Sequence, residues 1–433
     1  MNDGSTSPYV TVQDLRIGMH VHLDLGWLDH PFALNSFRIG SQAQIDTLRS
    51  LGVERVRWDP LRSDPAVLSA WRAARRPASG PAGGEAAEEA EARRQRRELL
   101  AAQAASLARC ERYYAQATRT FRQALDQVHA RPDEAREASQ ALIRGFLDAM
   151  EGTHDNCIRL LSEGAGDRAG CHSVNVTVIS LLLGRAIRLP DAELLELGVG
   201  ALLHDIGKID LPDRVRVKDE HFTLAEFQYY QEHLARGVEL ARRMQLGPGA
   251  MLVIGQHHEH ADGSGFPQRL PGERIHRLAR IVAMVNRYDN LCNPLNPLNP
   301  LKALTPHEAL SLMFAQMKSR FDEALLNSFI RLMGVYPPGS VVQLTDDRHA
   351  MVVSVNAARP LKPRVLVHDV RVPREEALVL DLEQEPALGI RRSFKPQQLP
   401  KAALDYLSPR PRMCYFFERA RDVEGGQGKG LLA

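Results

Sequence analysis

The residues best equipped for chemistry in this chain are histidines and aspartates concentrated in one stretch. Seven of the 16 histidines fall between positions 172 and 260. His204 and Asp205 are adjacent, in the run His204-Asp205-Ile206-Gly207-Lys208. Such a pair offers one imidazole nitrogen and one carboxylate from a single point, and a carboxylate with two oxygens can bridge two metal ions. His172 precedes the pair, and His233 and the doublet His257-His258 follow it. This nitrogen and oxygen donor set suits Fe, Mn, Co, Ni or Zn and suits Mg or Ca poorly. Two such ions, about 3.5–4 Å apart, would activate water and grip a phosphate from both sides. Lys208 can lend positive charge to phosphoryl oxygens as they gain charge in the transition state. It has no lone pair while charged, so it is not expected as a ligand. A single His on an apolar stripe, or one His-Asp pair, would carry little weight. The whole ordered set points to metal-assisted phosphoester hydrolysis. Cys171 adjoins His172 but diverges from it on a helix and is not counted as a ligand. His221 and His260 are expected at the surface.

These residues need helices to bring them together, and the pattern from 133 to about 335 is helix after helix. One or two amphipathic helices are expected over 134–163. Another follows over 172–188, with His172, Val176, Ile179 and Leu183 on one stripe. Asp191 is placed as the cap of the next, which Gly207 stops. Thr223 and Glu226 have the spacing of a capping box. Helices over 249–260, 273–291 and 306–333 complete the set, the last preceded by a tract rich in Asn and Pro. Together they predict an all-helical bundle able to hold inward-facing ligands.

The flanking segments have other periods. Residues 1–75 alternate and turn as a small α+β domain, with a short helix between Ser41 and Gly52. Residues 76–132 read as a linker followed by a charged, Ala-rich helix. The runs at 336–420 read as a small β-rich domain, and 421–433 as a frayed tail. The fold class expected is therefore mainly α, a helical bundle flanked by two small sheet-containing domains.

Composition excludes several functions. The 55 basic and 53 acidic residues leave a formal net charge of +2, so no DNA, RNA or anionic membrane surface is expected as a partner. Aromatic residues are 6% of the chain, too few for stacking platforms to dominate. The five cysteines form no CxxC pair, which fits a reducing compartment. The first ten residues lack the charged and apolar regions of a signal peptide, and no stretch approaches ~18 apolar residues. A cytoplasmic protein without an anchor of its own is expected.

The motifs resemble those of the HD-GYP family, a branch of the HD-domain metal-dependent phosphohydrolases. The resemblance covers residues 140–333 and rests on HSVNV at 172–176, HDIGK at 204–208, His233, and HHEHADGSGFP at 257–267. Residues around DLRIGMHV and LDHPFALNSFRI resemble the domain that often precedes HD-GYP in bacteria. The resemblance implies hydrolysis of the bacterial second messenger cyclic di-GMP, to pGpG or GMP, at a centre of two or three metals, often iron. It implies metal ligation by His172, His204, Asp205, His233, His257 and His258, with Asp205 bridging. It implies that Lys208 contacts substrate phosphate. It also implies that the loop with Asp262, Gly263 and Gly265 shapes the pocket and serves contacts with a signalling partner.

Departures from the family pattern refine these expectations. Phe266 replaces the Tyr of the GYP signature, which keeps the ring and loses a hydroxyl. Arg168 stands where three-metal members carry a carboxylate, so two metals are expected. Asn286 stands where the last ligand is an Asp, and a neutral amide oxygen would hold one metal more weakly. Asp289, three residues on, can face the same side. The family's RPY segment, which supplies basic contacts to phosphate, is replaced by the Asn-Pro-Leu tract, with Lys302 the nearby cation. The expected function is a two-metal cyclic di-GMP phosphodiesterase. The alternative is a signalling adaptor that binds a partner or nucleotide without turnover.

Overall fold

The computed structural model describes residues 9–23, 32, 34–60, 62–74, 82–150, 156–162, 168–219, 221–294 and 303–419. The chain divides into two compact units, Met1–Arg94 and Gln95–Ala433.

In the first unit β1 (Tyr9–Thr11), β2 (His20–His22), β3 (Ser36–Arg38) and β4 (Arg55–Asp59) form an antiparallel sheet in the order β1-β4-β2-β3. Helix α1 (Gln42–Ser50) turns one face, Ile45 and Leu48, into a core with Val10, Val21, Leu23 and Trp58. Ser41 is its N-cap residue but makes no capping hydrogen bond, and Gly52 follows the helix at φ +72°. The buried Trp58 indole donates to Ser63 Oγ at 2.7 Å, which satisfies its polar atom. Helix α2 (Pro65–Ala74) follows the last strand of this α+β unit.

Helix α3 (Ala82–Gln127) runs 46 residues and crosses the boundary between the units. Then come α4 (Pro132–Met150), β5 (Asn156–Leu160), α5 (Arg168–Ala186), α6 (Asp191–Leu203), α7 (Asp213–Arg216), α8 (Leu224–Arg243), α9 (Pro248–Gln256), α10 (Arg277–Cys292), α11 (Pro306–Gln316) and α12 (Glu323–Met333). The predicted capping box of Thr223 and Glu226 starts α8, and Thr305 with Glu308 forms a second one on α11. Pro190, not Asp191, is the N-cap of α6. Asp191 is the first helical residue, where its charge still complements the helix dipole.

The region read as helix over 134–163 ends in a strand. β5 is paired on both sides, with β7 (His349–Asn356) and β11 (Tyr415–Arg419), so Cys157, Ile158 and Leu160 are all buried. A short stretch buried on both faces, its Arg159 paired with Glu418 at 2.7 Å, carries no period that separates strand from helix. The sheet has seven strands: β10 (Ile390–Phe394), β6 (Val341–Leu344), β7, β5 and β11 in order, with β8 (Arg364–Val367) on β7 and β9 (Val379–Asp381) on β8. Because β5 comes from within the helical segment, the segments 133–335 and 336–420 share one compact unit. Tyr415 and Phe416 of β11 lie in the same hydrophobic core as the bundle helices. Helix α13 (Lys401–Leu407) precedes the last strand. The expected tail at 421–433 lies outside the described residues. No described helix is long and apolar enough to cross a membrane.

Candidate metal centre

The site gathers at the ends of α6 and α9 and along α5, α8 and α10. His204 is the C-cap residue of α6, and Asp205 opens the 3-10 turn Ile206–Asp210 that carries Lys208. This turn lies against α8: a Cβ on Gly207 would overlap the carbonyl oxygen of His233 and the amide nitrogen of Gly237. Only glycine permits that approach.

Three imidazoles share one local device. His204, His233 and His257 each place Nδ1 on the backbone carbonyl three residues earlier, Ala201 at 2.7 Å, Tyr230 at 2.5 Å and Ile254 at 3.0 Å. A carbonyl only accepts, so each Nδ1–H donates and each Nε2 keeps a lone pair. His172 does the same with a carboxylate, placing Nδ1 2.6 Å from Asp289 Oδ2. The outer partner thus fixes the tautomer and the ring orientation.

The lone pairs converge on Asp205. Its Oδ1 lies 3.7 Å from His233 Nε2 and 3.5 Å from His257 Nε2, and its Oδ2 lies 3.5 Å from His204 Nε2. His172 Nε2 is 3.3 Å from His204 Nε2. Asp205 belongs to two donor groups that can each hold a metal ion, one with His233, His257 and His258, the other with His172 and His204. Asp205 Oδ1, His233 Nε2 and His257 Nε2 are buried without any hydrogen-bond partner. Acceptors that face each other out of water are costly unless a cation lies between them. The residues therefore fit the metals that their types imply.

The electrostatics agree. Burial lowers the His233 pKa to about 3 and pushes those of His204 and His258 well below the ordinary imidazole value. These rings are neutral at pH 7, the form that ligates a metal. Burial alone would raise the Asp205 carboxyl, but Lys208 and the imidazoles of His204 and His257 hold it well below the usual range. Lys208 donates to Asp205 Oδ2 at 2.6 Å. Burial disfavours its charge, yet the Asp205 carboxylate outweighs that and holds the ammonium well above its ordinary value.

A cavity of about 300 Å³ opens onto the cluster and is lined by Lys208, Tyr230, His257, His258 and Phe266 among others. Asn286 also lines it, with Oδ1 accepting from Asn290 at 2.6 Å. Asp262, Gly263 and Gly265 are not among its lining residues. The Asp262 carboxylate accepts from the Ser264 amide and the Ser319 hydroxyl, and Gly265 sits tight against the backbone of His258, Glu259 and His260. The loop they shape turns Phe266 onto His258, with the rings stacked at 4.5 Å.

Other residues emerge only in three dimensions. His260 is half-buried and lines the cavity instead of facing solvent, whereas His221 is exposed as expected. Buried Glu259 accepts from the amides of Gln268 and Leu270 and so pins the loop. Asn175 and Asn293 both donate to Asp289 Oδ1, at 2.8 and 2.9 Å. Asn175 lies three residues after His172, a spacing that would have marked it as a neighbour on the same helix face. The side chain of Arg168, and Lys302, lie outside the described residues.

This architecture is that of an HD-domain protein: a helical bundle whose His-Asp pair sits at the centre of a convergent cluster of donors that could hold metal. Residues 156–325 match the HD domain family, and residues 9–138 match a domain of unknown function, DUF3391. The chain is 32% identical to cyclic di-GMP phosphodiesterase PA4108 of Pseudomonas aeruginosa, over 83% of this chain and 84% of that protein. It is 24% identical to cyclic di-GMP phosphodiesterase PdeB of Borreliella burgdorferi, over 45% of this chain and 50% of that one. It is 34% identical to the cyclic di-GMP phosphodiesterase response regulator RpfG of Xanthomonas campestris, over 35% and 39%. The chain belongs to the HD-GYP family.

Proposed function

We propose that the chain is a metal-dependent phosphodiesterase that hydrolyses cyclic di-GMP, to pGpG or GMP. The observation that carries this reading is the position of Asp205, whose carboxylate is common to both donor groups while its Oδ1 has no hydrogen-bond partner. The names of the relatives supply the substrate.

In this reading His233, His257 and His258 hold one divalent transition metal, and His172 and His204 hold a second, with Asp205 shared. Iron is the first choice, and Mn, Co, Ni and Zn also suit these donors. Asn286 is assigned as a neutral ligand that weakens one position. Bound there, the ions would neutralise phosphate charge and activate water for attack on phosphorus. The protein does the rest. The backbone carbonyls of Ala201, Tyr230 and Ile254 hold the imidazoles in the ligating tautomer. Lys208, kept charged by Asp205, faces the cavity as a cation for the phosphoryl oxygens. Phe266 holds His258 in place. The outer face of the same loop, where Asp262, Pro267 and Gln268 are exposed, is the surface proposed for a signalling partner.

Anaerobic purification, elemental analysis and a cyclic di-GMP hydrolysis assay on one sample test the proposal. Metal-loaded protein that releases pGpG or GMP supports it. Metal-loaded protein without turnover overturns it.

A further inference from the structure

Three cations besides Lys208 line the cavity, and they come from three separate elements. Lys218 follows α7, Arg287 lies on α10 beside Asn286, and Arg320 ends the 3-10 turn after α11. None of the three makes an ion pair with a carboxylate among the described residues. Their neighbours do: Lys318 pairs with Glu323 at 2.6 Å, and Arg280 pairs with Asp322 at 3.0 Å. The fold thus neutralises the cations beside this wall and leaves the wall itself charged. Desolvation and the charges of Arg287 and Arg320 lower the Lys218 pKa. The turn that carries Arg320 is held in place, since its carbonyl accepts from the Ala261 amide at 2.9 Å. Lys218 is steadied over the Phe227 ring at 5.0 Å.

Like charges held together beside a ligand cavity are unfavourable until an anion joins them. In the reading above, Lys208 and the metals held by the His and Asp donors would serve one phosphodiester. It does not use three more cations. A cyclic dinucleotide carries a second phosphodiester across its ring. We infer that Lys218, Arg287 and Arg320 form a second phosphate subsite, which holds the non-reacting phosphate of the cyclic dinucleotide while the other lies at the metal cluster. The inference rests on the phosphodiesterase reading above and adds selection for substrates with two phosphates. Guanidinium groups suit this task because their planar fork pairs with two phosphate oxygens at once.

The test is binding of cyclic di-GMP to chelator-treated protein by calorimetry, with KM for cyclic di-GMP measured on the metal-loaded protein. The variants are Arg287→Ala, Arg320→Ala and Arg287→Lys. Each alanine variant is expected to weaken binding by about tenfold to hundredfold, the scale of a charge-assisted hydrogen bond. KM should rise in step, and Arg287→Lys should recover part of the loss. KM for bis(p-nitrophenyl) phosphate, which has one phosphodiester, should rise far less. All three side chains reach the cavity surface, so thermal melting should stay close to wild type. If neither Kd nor KM for cyclic di-GMP moves more than about twofold in either alanine variant of an active enzyme, the subsite is overturned and the phosphodiesterase reading stands. If wild-type protein neither binds nor cleaves cyclic di-GMP, both fall together.

Discussion

His172 on α5 and Asp289 on α10 meet at 2.6 Å between Nδ1 and Oδ2, and both side chains are buried. The contact is the inner end of a longer chain of bonds. Asp289 Oδ1 accepts from Asn175 and Asn293, and both of those amides also donate to the carbonyl of Met413, at 2.8 Å each. Asn175 Oδ1 accepts in turn from the Tyr415 amide at the start of β11. The C-terminal strand is thereby tied to the ring that faces His204.

Asp289→Asn keeps the shape and removes the charge that orients His172. Metal affinity should fall about 10- to 100-fold, the usual cost of losing an outer partner of a metal-binding histidine. Competition with a calibrated chelator reads this directly. Unchanged affinity would mean that His172 is oriented by its own helix alone. Asp289→Ala should also cost about 1–3 kcal/mol of stability, because it strands buried amide donors.

Gly207→Ala probes the close approach of the Ile206–Asp210 turn to α8. The added methyl group meets backbone atoms of His233 and Gly237, which cannot rotate aside. Stability should fall by about 1–3 kcal/mol through overpacking. Metal content should fall with it, since the turn that carries Asp205 must move away from His233. Urea unfolding and elemental analysis of one preparation check both effects. A variant with wild-type stability and wild-type metal would contradict this account of the turn.

Lys208→Ala separates phosphate contact from metal binding. An ammonium has no lone pair to offer, so the variant should keep its metal. Turnover should drop by about 10²–10³-fold if the charge serves the transition state. Steady-state kinetics on metal-loaded protein measure the drop. Loss of metal would show that the lysine mainly organises Asp205.

The candidate donors were legible in the sequence because they come in short runs. His204-Asp205 and His257-His258 sit side by side, and helical spacing places His172 and His233 on inward faces. The bundle was legible too, from its 3.6-residue period. What escaped depends on contacts far apart along the chain. β5 becomes a strand because β7 and β11 pair with it from more than 190 residues away. Asp289 looked like a substitute ligand for Asn286, since three residues on a helix share a face. The structure instead spends both its oxygens on His172, Asn175 and Asn293. Lys218, Arg287 and Arg320 carry no common motif and converge only when three elements fold around one cavity.

The central claim is that one carboxylate, Asp205, serves both donor groups. Asp205→Asn retains the shape and one oxygen while removing the charge, and metal content per chain after anaerobic purification is the measurement that tests the claim most directly. The account predicts that metal is lost from both groups together, leaving the variant about tenfold or more below wild type under matched supply. Full retention of metal in Asp205→Asn would contradict it.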